Sequence, residues 1–308
     1  MLQVFANTNY DFIGRRRRAY LISVAFIALG FAHMAWKGGL QYGIDFSGGT
    51  LIQVRFEKPG AVDTIRAALG RIRLGESVIQ EFGGPREFLI RVASAGAEVA
   101  RSVQDALTQE AALGPVEIRR VEFVGPQVGK DLQLQALYAV ALGALGILIY
   151  ITFRFDVRGG IAAILATFHD VLISLSALSL TNREMSLPVL AALLTIVGYS
   201  VNDTIVAYDR LRENRGKALK RGTPLADLMN EAINQTLSRT VLTSLTTFMT
   251  TAVLFVFGGK VLEDFAFMLS IGVITGTFST IYIAGSVMVD WDLWARGRAR
   301  AKKALAKA

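Results

Sequence analysis

Six stretches of this chain are long and apolar enough to cross about 30 Å of hydrocarbon as helices: 19–36, 134–153, 159–180, 187–208, 240–257 and 265–289. No other feature constrains the fold as tightly, because backbone inside a bilayer must satisfy its own hydrogen bonds, and a helix does so within one segment. An even number of crossings puts both termini on one side. The first stretch follows Arg15-Arg16-Arg17-Arg18, as a secretory leader would. Its apolar run is long and lacks a small-residue cleavage site before Trp36, so it reads as a retained anchor.

Composition agrees: 52% of residues are hydrophobic and 19% charged, where a soluble domain carries about a quarter charged. The net charge of +8 does not point to nucleic acid, because the basic residues flank apolar runs instead of forming a basic, aromatic-studded face. They do set an orientation. Arg15 to Arg18, Arg154 and Arg158, the loop 209–239 and the tail 291–308 share nineteen Lys and Arg, whereas the short loops opposite hold Arg183 and Lys260. By the positive-inside rule the basic side, with both termini, is cytoplasmic. Cysteine is absent, which excludes disulfides and thiolate chemistry, and two histidines give little scope for a metal cluster.

The expected organisation is a cytoplasmic segment 1–18, a first span 19–36, an outer domain 37–133, five further spans within 134–290, and a frayed basic tail 291–308. Residues 37–131 carry 12 basic and 12 acidic residues, as a neutral folded domain does. Its pattern predicts strand 44–56, helix 62–69, strands 77–82 and 87–93 around Gly83-Gly84-Pro85, helix 97–113 and strand 116–124. That β-α-β-β-α-β order is ferredoxin-like. In the loop 209–239, Thr223-Pro224 predicts an N-cap and first helical residue, followed by Leu225, Leu228, Met229, Ala232 and Ile233 at helical spacing; a short helix on the membrane surface or a partner is expected.

Polar residues inside spans are the candidates for function, since a charge at the bilayer centre costs about 2.5–3.5 kcal/mol on insertion scales. Asp170 is central in its span, beside His169, on a stripe with Ala163, Thr167, Ser174 and Ala177. Asp203 lies on a stripe with Ser200, Thr204 and Ala207, with Asn202 beside it. A third stripe reads Arg239, Thr243, Thr246, Thr250. Low dielectric favours the neutral carboxyl and a nearby guanidinium the carboxylate, so approach and withdrawal of Arg239 would let Asp203 take and release a proton. The competing reading is that these groups form buried structural pairs. Ser47-Gly48-Gly49-Thr50 lacks the spacing of a phosphate loop, and Gly272 with Gly276 reads as helix packing. No nucleophile set or nucleotide site appears.

Seven strings in order carry a resemblance: Tyr10-Asp11-Phe12, the run from Gly43 to Thr50, the run from Val124 to Leu132, His169-Asp170, the run from Gly198 to Val206 with that from Asp209 to Asn214, Gln235 to Thr240, and Phe257-Gly258-Gly259 with Leu262-Glu263. Together they resemble the SecD/SecF family of protein-export membrane subunits, within the proton-driven resistance–nodulation–division superfamily. Lys260 stands where the family pattern has Pro. The resemblance implies an α-helical membrane protein of the cytoplasmic (inner) membrane, six transmembrane helices forming half of an exporter-type twelve-helix bundle, with an inserted ferredoxin-like α+β domain outside. It implies a SecD partner, contact with the Sec translocon channel and a YidC-type insertase, unfolded preproteins as cargo, and protons as coupling ion without a bound cofactor or any enzyme activity. The family's proton-relay pair falls on Asp203 and Arg239; Asp170 and Asn202 join it as candidates, with His169, Ser200, Thr204 and Thr243 as supporting polar groups. Two rivals remain open: a scaffold that holds SecD and an insertase without proton chemistry, and an exporter of small molecules or lipids, against which the small outer domain argues.

Overall fold

In the computed structural model, which describes residues 5, 8–94, 96–110, 113–218 and 223–305, the apolar windows are the middles of longer helices. Helix α1 is Arg16–Trp36. After the outer domain come α5, Pro126–Arg154, α6, Val157–Leu180, α7, Leu187–Ala218, and α8, Leu225–Phe257. The last span joins α9, Gly259–Ser279, through a π turn at Thr280–Ala284 to α10, Gly285–Leu305. All six are long and apolar enough to cross a membrane. Local chemistry sets some of the ends: Asp156 caps α6, its Oδ1 accepting the Gly159 amide at 2.6 Å, and Pro126 opens α5 where its missing N–H costs nothing.

Helices α6, α7 and α9 form the centre of the bundle, while α1, α5 and α8 lie outside with most of their apolar surface exposed. Between apolar helices in lipid there is little hydrophobic drive, so association depends on close packing. Gly272 supplies it as expected: a Cβ there would lie 2.1 Å from Ile196 Cγ1, so α9 seats directly on α7. The strongly basic helix ends meet at one end of the bundle, tied by Arg16–Asp290 (2.8 Å), Arg154–Asp209 (2.6 Å) and Arg158–Asp292 (3.5 Å). Asn230 and Asn234 of α8 clamp the N-terminal segment there; Asn230 Oδ1 accepts the amides of Phe12 and Ile13, and Asn234 Oδ1 that of Tyr10.

The outer domain sits at the other end. It contains a short helix α2 (Ile44–Ser47), strands β1 (Gly49–Phe56), β2 (Val78–Glu81), β3 (Glu87–Val92) and β4 (Val116–Val124), and helices α3 (Val62–Arg71) and α4 (Ala97–Thr108). All pairings are antiparallel in the order β2-β3-β1-β4, the ferredoxin-like arrangement. One face of the sheet, with Ile52, Val54, Phe88 and Ile90, closes against Ile65 and Leu107 from the two helices.

Several expectations are corrected. The strand expected over 44–56 starts only at Gly49, because Gly48 and Gly49 have φ of +72° and +119° and break it; ahead of them Phe46 is buried among Leu178, Val189 and Met268 at the outer ends of the helices, not in the sheet. The short surface helix in 209–239 is instead the opening of α8, whose Leu228, Met229, Ala232 and Ile233 pack into the bundle core. Its N-cap is Pro224, with no side-chain cap from Thr223. The tail is helical through Leu305, not frayed. The expected helix end at 111–112, loop residues 219–222 and tail residues 306–308 lie outside the described residues.

Gly49 gives a direct test of the domain's geometry. A Cβ there would sit 2.4 Å from the Val92 carbonyl oxygen, at a φ that L side chains rarely adopt. Gly49→Ala should cost about 1–3 kcal/mol, read as faster amide hydrogen exchange in β1 and β3 of the intact chain; unchanged protection would contradict the close approach.

Candidate functional site

Asp170 is completely buried at the middle of α6. Its Oδ2 accepts Ser200 Oγ of α7 at 2.5 Å and Ser279 Oγ at the end of α9 at 2.7 Å, and its Oδ1 lies 3.0 Å from His169 Nδ1. His169 Nε2 in turn lies 2.8 Å from Ser23 Oγ of α1. The arrangement suits the tautomer with hydrogen on Nδ1, donating to the carboxylate while Nε2 accepts the serine hydroxyl. One carboxylate thus gathers groups from four helices.

A turn further along α7, Asp203 is 3% exposed. Among the described residues its Oδ2 accepts one hydrogen bond, from Ser244 Oγ of α8 at 3.4 Å, and Ser244 itself accepts Thr277 Oγ1 of α9 at 2.6 Å. Thr204 Oγ1 and Thr280 Oγ1 are 3.2 Å apart beside it. The π turn starts at Thr280; there Ser279 reaches Asp170 of α6 and Thr280 reaches Thr204 of α7. A hydroxyl-lined seam therefore runs between α6, α7 and α9 from one carboxylate toward the other.

The two carboxylates differ in a way that decides what each can do. Asp170 is met by two serine hydroxyls and the His169 ring. Asp203 has one long contact, so its charge state rests on what else approaches it. Arg239 is within Coulombic reach of it, although it is exposed on α8 and forms no ion pair among the described residues. Asn202 is likewise exposed. Thr243 spends its hydroxyl on the carbonyls of Arg239 and Thr240 (2.9 and 3.0 Å), and Thr246 and Thr250 face outward. The structure thus brings together Asp170, His169 and Ser200, with Asp203 and Thr204 close by on α7 and Arg239 within electrostatic reach of Asp203 without pairing to it, and leaves Asn202 and Thr243 without a hydrogen bond to either carboxylate among the described residues.

Sequence reading missed Ser23, Ser244, Thr277, Ser279 and Thr280. The available signal was spacing: Gly272, Gly276 and Ser279 continue one helical stripe, and Gly276 packs on Ser200, its built Cβ 3.2 Å from that of the serine. Near the outer end Arg183 binds Glu263 at 2.9 Å and also Asp264. Burial opposes its charge, but the hydrogen bonds it donates to both carboxylates prevail and raise its pKa.

Residues 103–294 match the family model described as "Protein export membrane protein SecD/SecF, C-terminal", and residues 36–59 match the "SecD/SecF GG Motif". The chain belongs to the SecF family of protein translocase subunits. It is 43% identical to a protein translocase subunit SecF from Calditerrivibrio nitroreducens, over 92% of this chain and 94% of that one. With the subunit from Magnetococcus marinus the identity is 47%, over 98% and 99%. In three dimensions it is similar to SecDF, a translocon-associated membrane protein from Thermus thermophilus: TM-score 0.83, 40% identity, 93% of this chain and 39% of that chain. A SecDF structure in a super-membrane-facing form gives a TM-score of 0.69 at 39% identity, over 99% of this chain and 41% of the other. The chain spans about two fifths of the SecDF chains it matches. The SecF family fold, with six membrane-spanning helices and an inserted ferredoxin-like domain, is therefore established.

Proposed function

We propose that this chain works with a SecD partner in the cytoplasmic membrane, both termini inside and the outer domain outside, and uses the proton gradient to promote passage of unfolded preproteins through the Sec channel. The observation that carries the reading is the pair of buried carboxylates of unequal support, Asp170 with three donors and Asp203 with one. A group whose charge is weakly compensated is the one whose protonation can shift helix packing. Asp203 is the carrier; Asp170 holds α6, α7 and α9 in register around it through Ser200, Ser279 and His169. Thr204 and Thr243 line the path or stiffen its walls. Arg239 and Asn202 are polar groups exposed within a membrane span, a costly position in lipid, and the SecD half covers them so that Arg239 reaches Asp203 only in part of the cycle. The Sec channel, and an insertase of the YidC type, complete the surroundings. The chain itself catalyses no covalent chemistry, and the proton is its coupling ion.

Sealed vesicles holding the channel, the motor, this chain and its SecD partner should complete a stalled preprotein faster when a proton gradient is imposed. Equal rates with and without the gradient would remove this reading.

A further inference from the structure

The turn between α6 and α7, residues 181–186, joins the helix of Asp170 to the helix of Asp203. It is held from two sides. On one side the outer domain grips it: Tyr42 and Met185 form a parallel bridge, in which the Gly43 amide donates to the Met185 carbonyl at 2.8 Å and the Met185 amide to that of Gln41 at 2.7 Å. Asp45 Oδ2 accepts the Leu187 amide at 2.9 Å, capping the first turn of α7 from another domain. Arg91 of β3 pairs with Glu184 of the turn and donates to the Tyr42 carbonyl at 3.1 Å. Its side chain is only 16% exposed, so removing either partner would leave the other charge unpaired and largely out of water. On the other side Arg183 binds Glu263 and Asp264 of α9, and its guanidinium lies 4.6 Å from the ring centroid of Phe267.

The elements below the turn are stiff. At 1.5 Å per residue Asp170 lies about 15 Å along α6 from Leu180, and Asp203 about 24 Å along α7 from Leu187. A shift or tilt of either helix at its carboxylate therefore appears at the turn as a displacement. The domain has two covalent links to the bundle: β4 passes into α5 through Gly125 alone, whereas Lys37 to Leu40 runs through Gly38 and Gly39, both at positive φ and with open space around them. Such a segment transmits little.

We propose that the 181–186 turn is the joint that carries helix movement at Asp170 and Asp203 to the outer domain, with Asp45 and Arg91 as positioning residues that fasten the domain to it. The proposal deepens the proton-coupled reading and rests on it for its purpose. Asp45 and Arg91 touch no proton and no cargo. They act through Leu187 and Glu184.

The chain has no native cysteine, so a pair of spin labels is easily placed at Arg101→Cys on exposed α4 and Val261→Cys at the outer start of α9. With the SecD partner present, Asp203→Asn should shift the interlabel distance relative to the parent protein. Adding Arg91→Ala or Asp45→Ala should abolish that shift, and the exchange Arg91→Glu with Glu184→Arg should restore it where Arg91→Glu alone does not. No shift on Asp203→Asn, or a shift that persists in the Arg91 and Asp45 variants, overturns the joint. A purely structural role would instead release the domain in every variant, with no rescue by the exchange. The distance is read without transport, so a joint that behaves as stated in vesicles that show no gradient stimulation would fault the proton-coupled reading and leave the joint standing.

Discussion

Asp203→Asn should reduce preprotein completion under a proton gradient to the rate seen without one. The substitution keeps size and the capacity to accept from Ser244 Oγ, which lies 3.4 Å from the carboxylate, and it removes only the ability to gain and lose a proton. Because it takes a charge out of a buried place, it should not weaken the helix packing. Insertion in the membrane and co-purification with the SecD partner are therefore expected to match the parent protein, while the gradient-dependent part of the rate disappears. A scaffold without proton chemistry would tolerate the change, so full gradient stimulation in this variant would favour that rival. Loss of the partner would show that the carboxylate serves assembly instead.

The second large effect is on stability and concerns the other carboxylate. Asp170→Ala leaves the hydroxyls of Ser200 and Ser279 and the ring of His169 without their shared acceptor in a fully buried position. Hydrogen bonds between membrane helices contribute about 0.6–1.7 kcal/mol each, so losing three at once should cost about 2–5 kcal/mol. Ser279 softens the loss a little, since its hydroxyl already reaches the Gly276 carbonyl at 3.1 Å. Asp170→Asn retains an acceptor and should lose much less. Thermal unfolding in detergent checks the ranking: the alanine variant well below the asparagine variant, and that one close to the parent. Equal stabilities would mean that the four-helix junction does not hold the bundle.

The sequence made the membrane spans legible because twenty apolar residues in a row have few other uses, and the strand patterns read over 44–56 and 87–93 announced the sheet. Phe46 was misread for a physical reason. An apolar residue next to a strand looks the same whether it joins the sheet or, as here, plugs the outer ends of α6, α7 and α9, and only Gly48 and Gly49 at positive φ separate the two cases. The start of α8 was misread similarly, because an apolar stripe of Leu228, Met229, Ala232 and Ile233 suits a membrane surface as well as a bundle core. Asp170 and Asp203 stood out as charges inside spans. Ser23, Ser279 and Thr280 did not, since a lone hydroxyl in a span has no required partner. Arg239 and Asn202 were found by pattern, yet their exposure on the outside of the chain follows from which helices pack in the middle, and periodicity does not reveal that.

Proton movement itself is the most direct test of Asp203 as the carrier. Vesicles containing the channel, the motor, the SecD partner and either this chain or its Asp203→Asn variant would be loaded with a pH-sensitive dye, and proton flow down the gradient recorded during preprotein passage. Proton flow that accompanies passage with the parent chain and vanishes with Asp203→Asn is the expected result. Gradient-stimulated passage without proton flow, or equal flow in both, would contradict it.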